Sequence, residues 1–293
     1  MIIDIHNHAD YHGYGVKKML ENMDRCGIDL TCLLSWEAPE SEWDPATKES
    51  FSPFSAMPVP FLRCVAYKEA APDRFLLGYC PDPRDPQAIE KLRAMTSLYD
   101  LSICGELKLR MMYDNPDAIR LWRVCGELGL PVLMHFDYEF PAKNAYPRPN
   151  YWYGGGIDVL ERVLALCPET SFIGHAPGFW AHISNDEQYK TCAYPKGEVI
   201  RGGRIEQLLE KYPNLYCDIS AGSGHNALNR DREHAKEFLT KWQDRVLYAR
   251  DYFDNIHREL IETLGLDEGV KKKLYEDNAR KILRGGDKIP KHI

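Results

Sequence analysis

The sequence lacks a basic excess. Its 293 residues carry 37 Lys and Arg against 44 Asp and Glu, a formal net charge of −7. That balance argues against a general nucleic-acid or lipid-surface binder, since both need a basic patch or stripe. No apolar run approaches the roughly 18 residues of a membrane-spanning helix. The opening Met1-Ile2-Ile3-Asp4-Ile5 has neither a basic nor a long apolar leader region. A cytoplasmic protein without membrane or nucleic-acid partners is expected. The nine cysteines include no CxxC pair. Cys104, Cys125 and Cys217 sit in apolar runs and read as small buried hydrophobes in a reducing compartment. Internal repeats and low-complexity tracts are absent as well.

What is there is an alternation. Composition is ordinary for a globular chain, 44% hydrophobic and 28% charged, and the length suits one large α/β domain over 1–293. Eight short apolar runs read as buried parallel strands: Ile2–His6, Leu30–Ser35, Phe75–Tyr79, Ile103–Leu109, Val132–Phe136, Ser171–Gly174, Leu215–Ile219 and Val246–Ala249. Between them lie amphipathic stretches that predict helices. They are Val16–Cys26 before Gly27, Pro116–Leu128 before Gly129, Ile157–Leu166 before Cys167-Pro168, Arg204–Tyr212, Glu233–Trp242, Ile256–Leu264 and a closing Val270–Leu283. Eight strands alternating with helices give a closed (β/α)8 barrel or a doubly wound sheet. No GxGxxG follows the first strand, so the barrel is preferred. Three long connections, Trp36–Pro58, Asp137–Gly155 and Ala176–Gly203, each follow a strand and so crowd the face where barrels place active sites. Trp36, Trp43, Tyr138, Tyr146, Tyr151, Trp152 and Trp180 suit ordered loops roofing a pocket.

Chemistry gathers at the strand ends. His6-Asn7-His8 closes the first strand, and residues two apart on a strand share a face, so both imidazoles can reach one ion. Asp4 is expected on that same face as a supporting carboxylate. His135, His175 and Asp251 close the fifth, sixth and eighth runs, and Glu106 lies within the fourth. Each alone could be a satisfied polar group at a barrel rim. Five such positions in register point together to a metal site, because burying them unpartnered is costly.

Asp4-Ile5-His6-Asn7-His8 resembles the DxHxH opening of the amidohydrolase superfamily, and His135, His175 and Asp251 fall in its strand order. The tail Asp277-Asn278-Ala279-Arg280-Lys281-Ile282-Leu283 is similar to the closing helix of its amidohydrolase-related branch, which also holds aminocarboxymuconate-semialdehyde decarboxylase, aromatic-acid decarboxylases and a lactonase. Gly105-Glu106 resembles the GE motif of TatD-like deoxyribonucleases. Two positions depart from the pattern, Arg250 before Asp251 and Phe253 in place of a proline.

The resemblance implies a divalent metal, zinc for preference, as one or two ions. In a one-ion site His6, His8, His135 and Asp251 bind it and His175 is a base or substrate orienter. In a two-ion site Glu106 bridges, and His135 with His175 holds the second ion. Some relatives bridge with a carbamylated lysine; Lys108 reads instead as a solvated or salt-bridging residue. The implied reaction is hydrolysis of a small-molecule amide, ester or lactone by metal-activated water, with Asp251 and His175 catalytic. Its rivals are a decarboxylase or hydratase of a small carboxylic acid, a phosphoesterase or nuclease, and a non-enzymatic barrel. Arg110, Trp180 and His225 are expected at the substrate, His225 on a flexible loop. Arg250 is read as a salt bridge before a substrate clamp. Asp218 should anchor the seventh strand. A homo-oligomer is compatible with the sequence.

Overall fold

The computed structural model describes residues 1–43, 58–137 and 152–290. Among these residues eight parallel strands are present: β1 Ile3–Asn7, β2 Leu30–Leu34, β3 Phe75–Gly78, β4 Cys104–Leu107, β5 Val132–His135, β6 Phe172–His175, β7 Leu215–Asp218 and β8 Val246–Leu247. Every strand predicted from the sequence is found. β1–β3 and β4–β8 form two runs of neighbours. Ser102 N–H donates to Leu77 O (2.9 Å) and Tyr79 N–H to Ile103 O (3.2 Å), joining β3 to β4. Ile5 N–H to Tyr248 O (3.2 Å) and Asp251 N–H to His6 O (2.8 Å) close β8 onto β1. The fold is the expected (β/α)8 barrel.

Alternation sorts the side chains. Leu30, Cys32, Leu34, Ile103, Leu133, Ile173, Tyr216, Leu247 and Ala249 pack in one buried cluster inside the barrel, with Ala279, Ile282 and Leu283 of the C-terminal segment against them. A second, larger cluster lies between strands and helices and includes Met19, Met23, Trp122, Leu160 and Leu208.

Ile3 and Ile5 belong to the interior cluster. The register of β1 against β2 then slips between Asp4 and Asn7, and that of β4 against β5 slips between Cys104 and Leu107. An irregularity of this kind re-aims the side chains beyond it. It corrects the expectation that Asp4 shares a face with His6 and His8: Asp4 points outward, where it accepts from Arg250 Nε at 2.8 Å.

The predicted helices are present with ends moved by a residue or two, among them Val16–Cys26, Pro116–Glu127 and Ile157–Leu166. Phe61–Ala70 and Ala88–Tyr99 are helices that the sequence reading did not mark. The closing helix is not continuous: Glu268–Lys272 and Asn278–Ile282 flank a π-turn at Lys273–Asp277. The cause is visible. The Leu274 carbonyl accepts Tyr248 N–H (3.0 Å), and Asn278 Nδ2 donates to Gln243 O and Val246 O (both 2.7 Å). The helix gives up regularity to bind β8.

Of the three long connections, residues 44–57 and 138–151, with Tyr138, Tyr146 and Tyr151, lie outside the described residues. Ala176–Gly203 is described throughout and begins with the turn Pro177–Trp180.

Candidate metal centre

His6 and His8 stand at the C-terminal end of β1. His6 Nδ1 lies 2.7 Å from Asp218 Oδ2, and His8 Nδ1 lies 2.9 Å from the Leu34 carbonyl. A carboxylate and a carbonyl only accept, so both Nδ1 atoms carry the proton and both Nε2 atoms present lone pairs. Those lone pairs face each other at 3.3 Å. Two acceptors so placed need a proton or a cation between them.

The carboxylates close on the same point. Asp251 Oδ1 is 3.4 Å from His8 Nε2 and 3.7 Å from His6 Nε2. Glu106 Oε2 is 3.2 Å from His8 Nε2 and 3.7 Å from His6 Nε2. Donors about 2.1 Å from one tetrahedral ion stand about 3.4 Å apart, which is the spacing seen. Asp251 is aimed there by a left-handed backbone (φ 47°), and Ala176 and Ala221, just beyond the ends of β6 and β7, are also left-handed (φ 78° and 57°). Non-glycine residues held there cost roughly 1–3 kcal/mol each and gather at functional sites.

A second group adjoins the first. Glu106 Oε1 lies 2.8 Å from His135 Nδ1 and 3.9 Å from His175 Nε2. His175 Nδ1 is 3.1 Å from Ser220 Oγ and 3.4 Å from Asp218 Oδ2. His175 Nε2 and His135 Nε2 are buried with no hydrogen-bond partner. Among the described residues the donors form three overlapping sets, His6–His8–Asp251, Glu106–His135–His175 and His6–His175–Asp218, each within 4.8 Å. Orphaned, buried nitrogens aimed at carboxylates are the donor chemistry a divalent ion requires. The residues fit a metal.

The surrounding carboxylates favour positive charge between these groups. Burial would push His6 down, but Asp251, Asp218 and Glu106 hold it well above its ordinary value. Burial would likewise raise Glu106, yet hydrogen bonds from His135, His6 and His8 keep it well below the usual carboxylate range. Asp251 is raised by burial and by Glu106, against the pull of His6, His8 and Lys108. Burial drives His175 down to about 3, which favours its neutral form.

Around this core the sequence expectations divide. Asp218 carries more than the anchoring role assigned to it: buried, it orients His6 and lies beside His175. An acid closing an apolar strand was the signal, as for Asp251. Ser220 had no sequence signal. Arg250 is fully buried, with Nε on Asp4 and Nη1 2.8 Å from Asn22 Oδ1. Asn22 Nδ2 in turn donates to the Phe253 carbonyl (2.6 Å), and the Phe253 ring stacks on Tyr14 at 3.6 Å. Both departures from the family pattern are therefore parts of one prop behind Asp251.

Trp180 is 1% exposed, its indole N–H on the Asp218 carbonyl (2.8 Å) and its ring against Phe238. It holds the end of β7, which corrects its placement as a pocket lining. His225 stands within the helix Ala221–Asn229, not on a flexible loop, 5.8 Å from the His257 ring. Gly224 explains the helix: a Cβ there would come within 2.1 Å of the Ile219 carbonyl, so glycine serves close packing. Arg110 donates its backbone N–H to Glu42, and its Nε is buried without a hydrogen-bond partner. Lys108, read as solvated or salt-bridging, is half-buried, its Nζ 4.6 Å from the Trp36 ring and 5.5 Å from that of Tyr153.

Known proteins bear on this geometry. Among curated protein sequences none matches. Several solved structures share the fold. A 2,6-dihydroxybenzoate decarboxylase from Rhizobium superposes with a TM-score of 0.55 at 16% identity, covering 96% of this chain and 98% of its own. A dihydroxybenzoic acid decarboxylase from Polaromonas, with bound manganese, gives 0.56 at 15% identity over 96% of each chain. A probable 2-pyrone-4,6-dicarboxylic acid hydrolase from Acinetobacter baumannii gives 0.57 at 11% over 96% and 98%. Likeness at such identities speaks for the barrel alone. The sequence profile described as Amidohydrolase goes further, matching residues 3–285. Since that span takes in every strand and every donor at the barrel mouth, the chain belongs to the amidohydrolase family of metal-dependent enzymes.

Proposed function

We propose that the protein is a metal-dependent hydrolase of a small ester, lactone or amide, working at a two-ion zinc centre bridged by Glu106. The observation that supports this is the straddle of Glu106. One of its oxygens faces the His6–His8 pair and the other faces His135 and His175. A carboxylate serving two donor sets stands as a bridge must. Imidazole-rich sets suit zinc, and the same donors accept manganese. A divalent ion held there lowers the pKa of water towards about 7 and polarises a carbonyl oxygen.

The side chains divide the remaining work. Asp251 turns Oδ1 to the histidine pair and Oδ2 to His175 (3.7 Å), so it takes the proton from an attacking water and returns it to the leaving group. His175, neutral, with Ser220 and Asp218 beside Nδ1, offers the bare Nε2 of a ligand. It is thus assigned to the second ion in place of general base. Asp218 and the Leu34 carbonyl fix the tautomers of His6 and His8, as supporting partners of metal histidines do. Of the two arginines read as clamps for an acidic substrate, Arg250 is spent on Asp4, which weighs against a decarboxylase.

Elemental analysis of chelator-free protein tests the reading. Near two ions per chain in wild type, falling to one or fewer in Glu106→Gln, is the expected result. One ion unaffected by Glu106→Gln would replace it with a one-ion site and favour decarboxylation. No ion, even after incubation with Zn²⁺ or Mn²⁺, would overturn it.

A further inference from the structure

We propose that His257 is a positioning residue: it clamps the Ser220–Ala221 turn, so that the Ser220 hydroxyl receives the His175 Nδ1 proton and the opposite ring nitrogen stays aimed at the metal donors. This rests on the assignment of His175 as an ion-facing donor made above.

His257 stands on the helix Ile256–Thr263, which follows β8, and it is 1% exposed. Burial lowers its pKa and favours the neutral ring. Its Nε2 lies 2.9 Å from the Ala221 carbonyl. A carbonyl only accepts, so Nε2 carries the proton and Nδ1 is left bare. That Nδ1 is buried with no hydrogen-bond partner. Burying such a nitrogen is unfavourable, and an apolar side chain of similar volume would avoid it. The imidazole is a poor choice for packing here and a good one for donating.

The carbonyl it grips belongs to a strained residue. Ala221 has φ 57°, a left-handed backbone that alanine rarely adopts. It is fastened on both sides: its N–H donates to the Arg250 carbonyl at 3.0 Å, and its carbonyl accepts from His257. Without the second fastening Ala221 can relax towards an ordinary φ, and Ser220 turns with it. Ser220 transmits the change. Its N–H donates to Asp218 Oδ1 at 2.7 Å, and its Oγ lies 3.1 Å from His175 Nδ1 and 3.3 Å from His6 Nδ1. His6 also has Asp218 Oδ2 at 2.7 Å, whereas His175 has it only at 3.4 Å. Loss of the clamp is therefore felt first in the Glu106–His135–His175 set.

Proton NMR of the metal-free protein reads this without turnover or a bound ion. The His175 Nδ1 proton, assigned by its loss in His175→Gln, is expected to exchange with solvent about ten-fold faster in His257→Leu than in wild type, the worth of one neutral hydrogen bond. His257→Gln, whose amide can donate to the same carbonyl, should restore slow exchange. Ala221→Gly in the His257→Leu background should restore part of it, because glycine adopts φ 57° without strain. Should His257→Leu fail to fold, His257→Phe supplies the same comparison. No protected His175 ring proton in wild type, an unchanged rate once the donor is removed, or a faster rate that neither His257→Gln nor Ala221→Gly corrects would overturn the proposal. In the metal-loaded protein, competition with a chelator should show the second ion held about ten-fold more weakly in His257→Leu and the first unchanged; an unchanged second ion would overturn it equally. A wild type that takes up one ion alone would instead count against the two-ion reading and leave the exchange comparison standing.

Discussion

Asp218 shows how a residue outside the ion-facing donors can govern them. As a carboxylate it can only accept, so it obliges His6 Nδ1 to carry the proton. Asp218→Asn can offer an N–H to the same atom and reverse the tautomer. Metal affinity, measured by competition with a chromophoric chelator, is expected to fall about 10- to 100-fold; an unchanged affinity would show that His6 is oriented by other contacts. Arg250 belongs to the same scale. Replacing it with Met leaves Asp4 charged and buried, a loss of about 3–5 kcal/mol that chemical denaturation would register, and Asp4→Asn on that background should recover part of it. The ion-facing residues were legible because a polar residue ending an apolar run has few harmless explanations. The outward turn of Asp4 was not, since counting by twos assumes a regular strand and β1 slips after Asp4. Ser220 was invisible for the opposite reason, since serine at a strand end is ordinary.

Elements were legible where periodicity is strong and obscure where glycine has two meanings. The run Gly222-Ser223-Gly224 suggests a loop by composition, yet it is helical because Gly224 lets the helix approach the end of β7. Ala88–Tyr99 buries only Ala88, Leu92 and Thr96, a stripe too narrow to stand out. Gly178, in the turn after β6, offers a test of close approach. A Cβ there would sit 2.7 Å from the Phe136 backbone carbonyl, and backbone cannot swing aside. Gly178→Ala should cost about 1–3 kcal/mol. Gly129→Ala meets open space and carries only the left-handed penalty of φ +67°, about 1–2 kcal/mol. Urea midpoints that rank Gly129→Ala as the more damaging would show the Pro177–Trp180 turn free to move away from β5.

At the scale of the whole molecule, buried neutral histidines set an acid limit on the metal-free protein. Burial lowers His182 from 6.5 to about 4. Between those values the unfolded chain takes up a proton that the folded chain refuses, so stability is complete above pH 6.5 and is lost as pH falls towards 4. The slope is about 1.4 kcal/mol per pH unit for one group, on the order of 3 kcal/mol over the window. Urea denaturation at pH 7 and pH 5 should therefore show a smaller loss for His182→Gln than for wild type; equal losses would remove His182 from the account. The barrel itself was legible because eight apolar runs and their helices recur from end to end. The seam between β8 and β1 was not, because a strand of two residues gives little pattern. That seam has a consequence for assembly. His8 and Asp251 stand near opposite ends of the chain, and their side chains meet where the first and last strands join. A ribosome must release nearly all of the chain before Asp251 can join His6 and His8, so that donor set is completed late. An ion held by His6, His8 and Asp251 would fasten the joint between the two ends of the chain. Chelation should therefore speed hydrogen exchange first at the Ile5 and Asp251 amides, which stitch that joint.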